Sequence, residues 1–303
     1  NISLSQYQKE FNRKLIFKKG MGRRFASIFP VKADHLAEMV RQQVFREFGE
    51  NTYNLGLTVF TTIRADEQRA AHMALRSGVL SYDMKNGYRG PESFIKLPND
   101  PNISNEIIAD KLSSVSDSLD ILAGVVTKIE KGEITISRGE NTPIILNKSN
   151  TKFAEKFFTK KTSQKKRIRR GSLVRIKPKD ENKNEYEITQ LPEAQAALVA
   201  LQTNNGAIRA LVGGFDFQSN KYNRVTQAYR QPGSAIKPFI FGAALEKGFS
   251  PKTLINDLPI NFSPESTGGT LWEPKNFNNL YLGPISMKEA LTKSQNMVSI
   301  RIV

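Results

Sequence analysis

The chemistry in this sequence concentrates at Ser234 and Lys237, inside the run RQPGSAIKPF at residues 230–239. Gln231-Pro232-Gly233 reads as a turn. The apolar stretch after it predicts a helix from about Ser234 to Leu245, closed by Lys247, Gly248 and then Pro251. A serine at a helix N-terminus lies where free backbone N–H groups and the helix dipole favour developing negative charge. Lys237, three residues on, returns to the same face within one turn. A serine hydroxyl is a weak nucleophile until a base takes its proton, and a lysine can be that base when burial or a neighbouring cation lowers its pKa. The bare pattern also has a plainer reading, a capping serine followed by a surface lysine. Against it, Lys237 leads into Pro238 and an apolar helix rather than a polar face.

Ser294-Gln295-Asn296 forms the second cluster. Upstream, Ser286-Met287-Lys288-Glu289 is a capping box with Ile285 ahead of it as a staple, so a helix is predicted from about Met287 to Lys293. A serine and an amide at its end could hand on protons and hold a substrate amide. On pattern alone Ser294 also reads as the cap of a further helix over residues 297–303.

Other elements must hold these clusters. Asp34–Phe48 predicts a helix with Leu36, Val40 and Val44 on one face, Met39 beside them and Gly49 as its C-terminal cap. Leu57–Ile63 reads as a strand and Asp66–Leu80 as a helix, and His35 and His72 read as packed or solvated helix histidines. Residues 82–120 read mostly as loop, punctuated by Gly87, Gly90, Pro91, Pro98 and Pro101. Five strand-like runs follow: Ile121–Thr127, Glu133–Ser137, Thr142–Leu146, Leu173–Lys177 and Glu185–Thr189. Together they suggest a small β-barrel of the OB kind. Ala196–Leu201 and Ala207–Val212 form a predicted hairpin through Asn204-Asn205-Gly206, with helices after it.

A length of 303 residues suggests about two domains. The absence of cysteine excludes disulfides, thiolate chemistry and Cys-based zinc sites, and no cofactor or metal is expected. No apolar run is long enough to cross a membrane as a helix. The net charge of +16 favours anionic partners. Residues 160–170 (KKTSQKKRIRR) hold seven Lys or Arg in eleven positions. They read first as a solvated loop between strands, and second as a site for an acidic polymer or partner protein. A basic OB-like module that binds nucleic acid without catalysis is the alternative function. It lacks stacking aromatics among the charges, since Phe153, Phe157 and Phe158 lie upstream.

The order Ser-x-x-Lys then Ser-x-Asn is shared with β-lactamases and penicillin-binding proteins. The sequence resembles the class A penicillin-binding proteins, the bifunctional enzymes, of the 1A type. RQPGSAIKPF resembles that family's nucleophile signature. The same holds for TVFTTIRADEQRAAHMAL (58–75) and SYDMKNGYRGPE (81–92) with its interdomain region, and for the hairpin ALVALQTNNGAIRALVGGFDF (197–217). NDLPINF (256–262) and WEPKNFNN (272–279) resemble the stretch between the two motifs.

The resemblance implies an α+β fold: a transpeptidase lobe of the penicillin-binding-protein/β-lactamase type with an inserted OB-like β-barrel. Residues 1–50 would be a glycosyltransferase tail and helical linker, 51–105 an interdomain region or first part of the transpeptidase region, 106–191 the barrel and 192–303 the N-terminal part of the transpeptidase domain. It implies that Ser234 attacks a D-Ala-D-Ala stem peptide, that Lys237 is the base, that Ser294 relays the proton and that Asn296 binds the substrate amide. Trp272 and Asn276 would border the cleft. Stem peptides and β-lactams are the implied ligands, with no nucleic acid, at the periplasmic face of the inner membrane. Two departures accompany these matches. The third motif, Lys-Thr/Ser-Gly, is absent, and so are the glycosyltransferase glutamates and the N-terminal membrane anchor. Residues 1–17 resemble only the tail of that first domain. The expectation is an internal piece of a longer enzyme, inactive by itself.

Overall fold

The computed structural model describes residues 31–130, 132–139, 142–179, 185–265 and 267–303. The expectation for residues 1–17 lies outside the described residues. The chain divides into two compact units, Asn1–Ala228 and Tyr229–Val303.

The first unit opens with α1 (Asp34–Phe48), on which Leu36 is buried and Gly49 donates its N–H to the carbonyl of Phe45 at the C-terminal end. Gly49 is at φ 56, the left-handed region that glycine enters without a Cβ penalty. A 3-10 turn (Gly49–Tyr53) leads by an extended segment to α2 (Ala65–Lys85), which runs five residues past its predicted end. The hairpin pairs β7 (Leu198–Leu201) with β8 (Ile208–Val212), closed by Gly206 at φ 71. Ala71, Leu75, Val79 and Leu80 of α2 pack against Ala210, Val212 and Phe215.

Leu57–Ile63 is not a strand. The edge of β8 is occupied by other donors and acceptors. The Thr62 hydroxyl donates to Ile208 O (2.7 Å) and Arg64 N–H to Arg209 O (2.9 Å). The buried amide of Gln68 donates to Leu211 O (3.0 Å) and accepts from Leu211 N–H (2.8 Å), standing in for a strand residue. With that edge filled, Leu57, Val59 and Phe60 stay exposed, Phe60 at 92%. β-branched residues need a paired surface to express their strand preference.

The barrel-like part is a six-stranded antiparallel sheet. β1 (Ser93–Phe94), β5 (Ser172–Pro178), β2 (Leu122–Glu130), β3 (Glu133–Ser137) and β4 (Ile144–Leu146) follow in spatial order, with β6 (Tyr186–Thr189) paired to β5. The strand readings hold, Glu133–Ser137 to the residue and the other four with shifted ends. Val126, Ile134, Ile136, Leu146, Val174, Ile176 and Ile188 share one core with Tyr88, Ala154 and Ile168.

Residues 82–120 are not mainly loop. They contain β1 and a helix, α3 (Pro101–Ser113). Pro101 is the first helical residue, and the Asp100 carboxylate caps it by accepting from Asn102 N–H (2.8 Å) and Ile103 N–H (3.4 Å). The reason for the helix is tertiary. Successive strand residues face opposite sides of a sheet. Val126 joins the barrel core, so Val125 points the other way, into Ile108 and Leu97 under α3.

The basic run is half structural. Ile168 is buried in the barrel core, the Arg169 guanidinium lies over the Phe94 ring at 4.5 Å, and Arg170 donates to Leu97 O (2.6 Å) and Pro98 O (2.5 Å). Lys160, Lys161, Lys165 and Lys166 are exposed, as the solvated-loop reading expects.

The second unit runs from a 3-10 turn (Gly233–Ile236) into α4 (Lys237–Glu246). The hairpin pair β9 (Leu254–Asp257) and β10 (Gly283–Ser286) follows, and then α5 (Met287–Thr292) and α6 (Asn296–Ile302). Phe241 and Ala244 of α4 meet Ile285, Met287, Ala290 and Val298 in its core.

Candidate active site

Lys237 is the first residue of α4, and Ser234 lies in the 3-10 turn before it rather than in the α-helix predicted from Ser234. The backbone N–H of Lys237 donates to Ser234 O, so a single i to i+3 turn joins the two residues. Gly233, at φ 56, makes the sharp approach to this turn. Ser234 is exposed. Its hydroxyl has no hydrogen-bond partner among the described residues, and no bond links it to the lysine.

What the fold does bring together is Lys237 and the second cluster. The lysine is 6% exposed. Its Nζ donates to Ser294 O (2.5 Å), Asn296 Oδ1 (2.7 Å) and Ser294 Oγ (3.1 Å). An ammonium has three N–H donors, and three oxygens meet them. Burial pushes its pKa below the ordinary lysine value of 10.5, because the charged form loses hydration.

Ser286 caps α5 by accepting from Glu289 N–H at 3.2 Å, as its capping box predicts. The chain then turns sharply. Ser294 has φ 54, a left-handed conformation that costs a non-glycine residue about 1–2 kcal/mol. Its N–H donates to Leu291 O and that of Gln295 to Ala290 O, closing α5. The turn aims both the carbonyl and the hydroxyl of Ser294 at Lys237. Gln295 occupies the cap position of α6 without a side-chain cap, so the plainer reading of Ser294 as that cap does not hold.

Asn276 is 2% exposed, and its amide is spent inside the protein. Its Oδ1 accepts from Asn296 N–H (2.8 Å) and Met297 N–H (3.3 Å), while Nδ2 donates to Asp257 Oδ1 (2.8 Å) and Leu280 O (2.8 Å). The resemblance puts Asn276 at the border of the cleft; the structure gives its amide these four partners within the protein. Trp272 is 47% exposed, stacked on Phe262 at 4.8 Å. No hydrogen bond or ring contact joins it to Lys237, Ser294 or Asn296 among the described residues. Asp257, fully buried, has no role in the sequence reading. Its only local signal was its place in the NDLPINF run.

The Penicillin-binding protein OB-like domain matches residues 88–194, and the Penicillin binding protein transpeptidase domain matches residues 196–303. The chain belongs to the penicillin-binding protein family. Its penicillin-binding protein relatives include Penicillin-binding protein 1A of Neisseria lactamica, 39% identical over all of this chain and 37% of that protein. The Pseudomonas aeruginosa Penicillin-binding protein 1A is 36% identical over 90% of this chain and 33% of its own length. The crystal structure of Penicillin-Binding Protein 1A from Haemophilus influenzae superposes with a TM-score of 0.78 at 33% identity, covering 99% of this chain and 42% of that one. The chain thus spans well under half the length of these penicillin-binding proteins. Its fold is α+β, with a transpeptidase region and an OB-like region.

Proposed function

We propose that this chain carries the nucleophile and base of a serine D,D-transpeptidase that cross-links peptidoglycan and is acylated by penicillins. The observation that carries this reading is the buried amine of Lys237, held by Ser294 and Asn296 from 57 and 59 residues away. Deprotonated, that amine keeps two N–H donors for Ser294 O and Asn296 Oδ1, which frees a lone pair.

In the reaction, Ser234 Oγ attacks the carbonyl of the penultimate D-Ala while Lys237 takes the hydroxyl proton. The C–N bond to the terminal D-Ala breaks. The proton passes through the Ser294 hydroxyl to the leaving amine, and Asn296 engages the substrate amide. The resulting ester is then transferred to the amine of a second stem peptide. A β-lactam opens its ring C–N bond in the same way but keeps its leaving amine tethered, so the ester persists. Hydrogen bonds of such sites commonly tighten only when substrate binds, which accommodates an exposed Ser234. Trp272, on an exposed loop, would border the cleft.

Ser234→Ala, in full-length protein carrying this chain, should abolish covalent labelling by a fluorescent penicillin. Equal labelling of both proteins would remove Ser234 as nucleophile.

We assign the parent protein to the periplasmic face of the inner membrane, with glycosyltransferase and anchor segments outside this chain. Lys160, Lys161, Lys165 and Lys166 would face an acidic polymer or partner protein. None of the four has a carboxylate partner among the described residues. Replacing all four with Gln should weaken retention on a polyglutamate column and flatten its salt dependence, since exposed charges act through a screened field. Unchanged retention would remove the assignment.

A further inference from the structure

α6 begins without a cap of its own. The first N–H groups of a helix have no intrahelical acceptor and are usually met by a side chain at the cap position. Gln295 supplies none. Instead the Oδ1 of Asn276, twenty residues upstream, accepts from the first two, Asn296 and Met297.

An amide could be placed either way round, and its surroundings decide which. On one side of Asn276 are two groups that can only accept, the Asp257 carboxylate at 2.8 Å and the Leu280 carbonyl at 2.8 Å. They force Nδ2 toward themselves and Oδ1 toward α6. Asp257 is in turn fixed from β9, its second oxygen accepting from Leu282 N–H at 3.0 Å. The neighbouring residue does the same for the next amide along. Lys275 O accepts from Asn296 Nδ2 at 2.8 Å, which turns Asn296 Oδ1 toward Lys237 Nζ at 2.7 Å. The pair Lys275-Asn276 therefore holds Asn296 by both backbone and side chain.

We propose that Asp257 and Asn276 are positioning residues for the lysine base, acting through Asn296 by a continuous line of hydrogen bonds from β9 to Lys237. This rests on the reading of Lys237 as the base. Neither residue needs to touch substrate. A misplacement of about 1 Å by a change away from the chemistry can cost about 10²-fold in rate.

The test uses full-length protein and a fluorescent penicillin, with the acylation rate constant and the fraction of protein labelled at completion measured separately. Asn276→Asp turns a donor into a second acceptor facing Asp257 and Leu280 O. It should lower the rate constant by about 10–100-fold while the molecules that remain folded still label to completion. Adding Asp257→Asn to it exchanges donor and acceptor across the pair and should recover at least about ten-fold, as coupled neighbours do in a double-mutant cycle. Asp257→Asn alone gives a milder loss, about five-fold or more, and serves if Asn276→Asp does not fold. A purely structural role would instead lower the labelled fraction and leave the rate constant at the wild-type value, and that result overturns the proposal. It is distinguishable from failure of the underlying reading, in which Ser234→Ala labels like wild type or Lys237→Arg acylates at the wild-type rate.

Discussion

Lys237→Arg should lower the rate of β-lactam acylation by about 10²–10⁴-fold, the range that a positioned general base contributes. Arginine keeps a cation at the site but does not give up its proton near neutral pH, so charge is retained while base function is lost. In the unsubstituted protein the acylation rate should rise with pH and level off, with its midpoint below 10.5, because burial lowers the pKa of Lys237. The residual rate of Lys237→Arg should lack that rise. The measurement is the second-order acylation rate constant from about pH 6 to pH 10 for both proteins. A rate within two-fold of wild type, or an unchanged pH rise, would exclude Lys237 as the base.

The same shift has a stability consequence of defined sign. The folded pKa lies below the unfolded value of 10.5. Between the two, the unfolded chain binds more protons, so this residue's contribution to stability increases as pH rises through that window. The burial cost of the ammonium is felt in full below the folded pKa and relieved on approach to 10.5.

Gly171→Ala should destabilise the OB-like region by about 2–5 kcal/mol, combining the cost of a left-handed non-glycine residue with that of forcing atoms into a packed site. Gly171 has φ 87, and a Cβ there would fall 2.0 Å from the carbonyl oxygen of Ile95. Neither side can yield cheaply. Gly171 N–H donates to Val126 O at 2.7 Å and Ile95 N–H donates to Gly171 O at 2.9 Å, so both chains are pinned to the sheet. The loss is a large part of the stability of an ordinary domain. Hydrogen exchange of the β2 and β5 amides, read by mass spectrometry, would show it as early opening of those strands. Protection equal to wild type would mean that the turn can relocate.

Much of this molecule is legible from short stretches of chain, because caps and turns are settled within about four residues. Gly49 closes α1, Gly206 closes the β7–β8 hairpin and Ser286 starts α5, each by local chemistry that the sequence displays. The turn that joins Ser234 to Lys237 is of the same kind, although the α-helix begins three residues later than the pattern suggests. α3 was half legible. Asp100 and Pro101 are a good helix start, but the surrounding glycines and prolines favoured a loop until the outer face of β2 supplied something to cover.

Other features depend on residues far apart in sequence, and no local rule reaches them. Leu57–Ile63 has strand composition, yet Gln68, Arg64 and Thr62 fill the edge of β8 that would have paired with such a strand. Composition alone leaves Lys237 on either a surface or a core. Its burial, its lowered pKa and its three oxygens arise because the turn at Ser294 folds back onto the start of α4. Asn276 reads as a polar loop residue, and only packing turns it into the cap of α6. Propensity and capping act along the chain. The depth of a charge, and the partner of an amide, are set by which distant segments exclude water together.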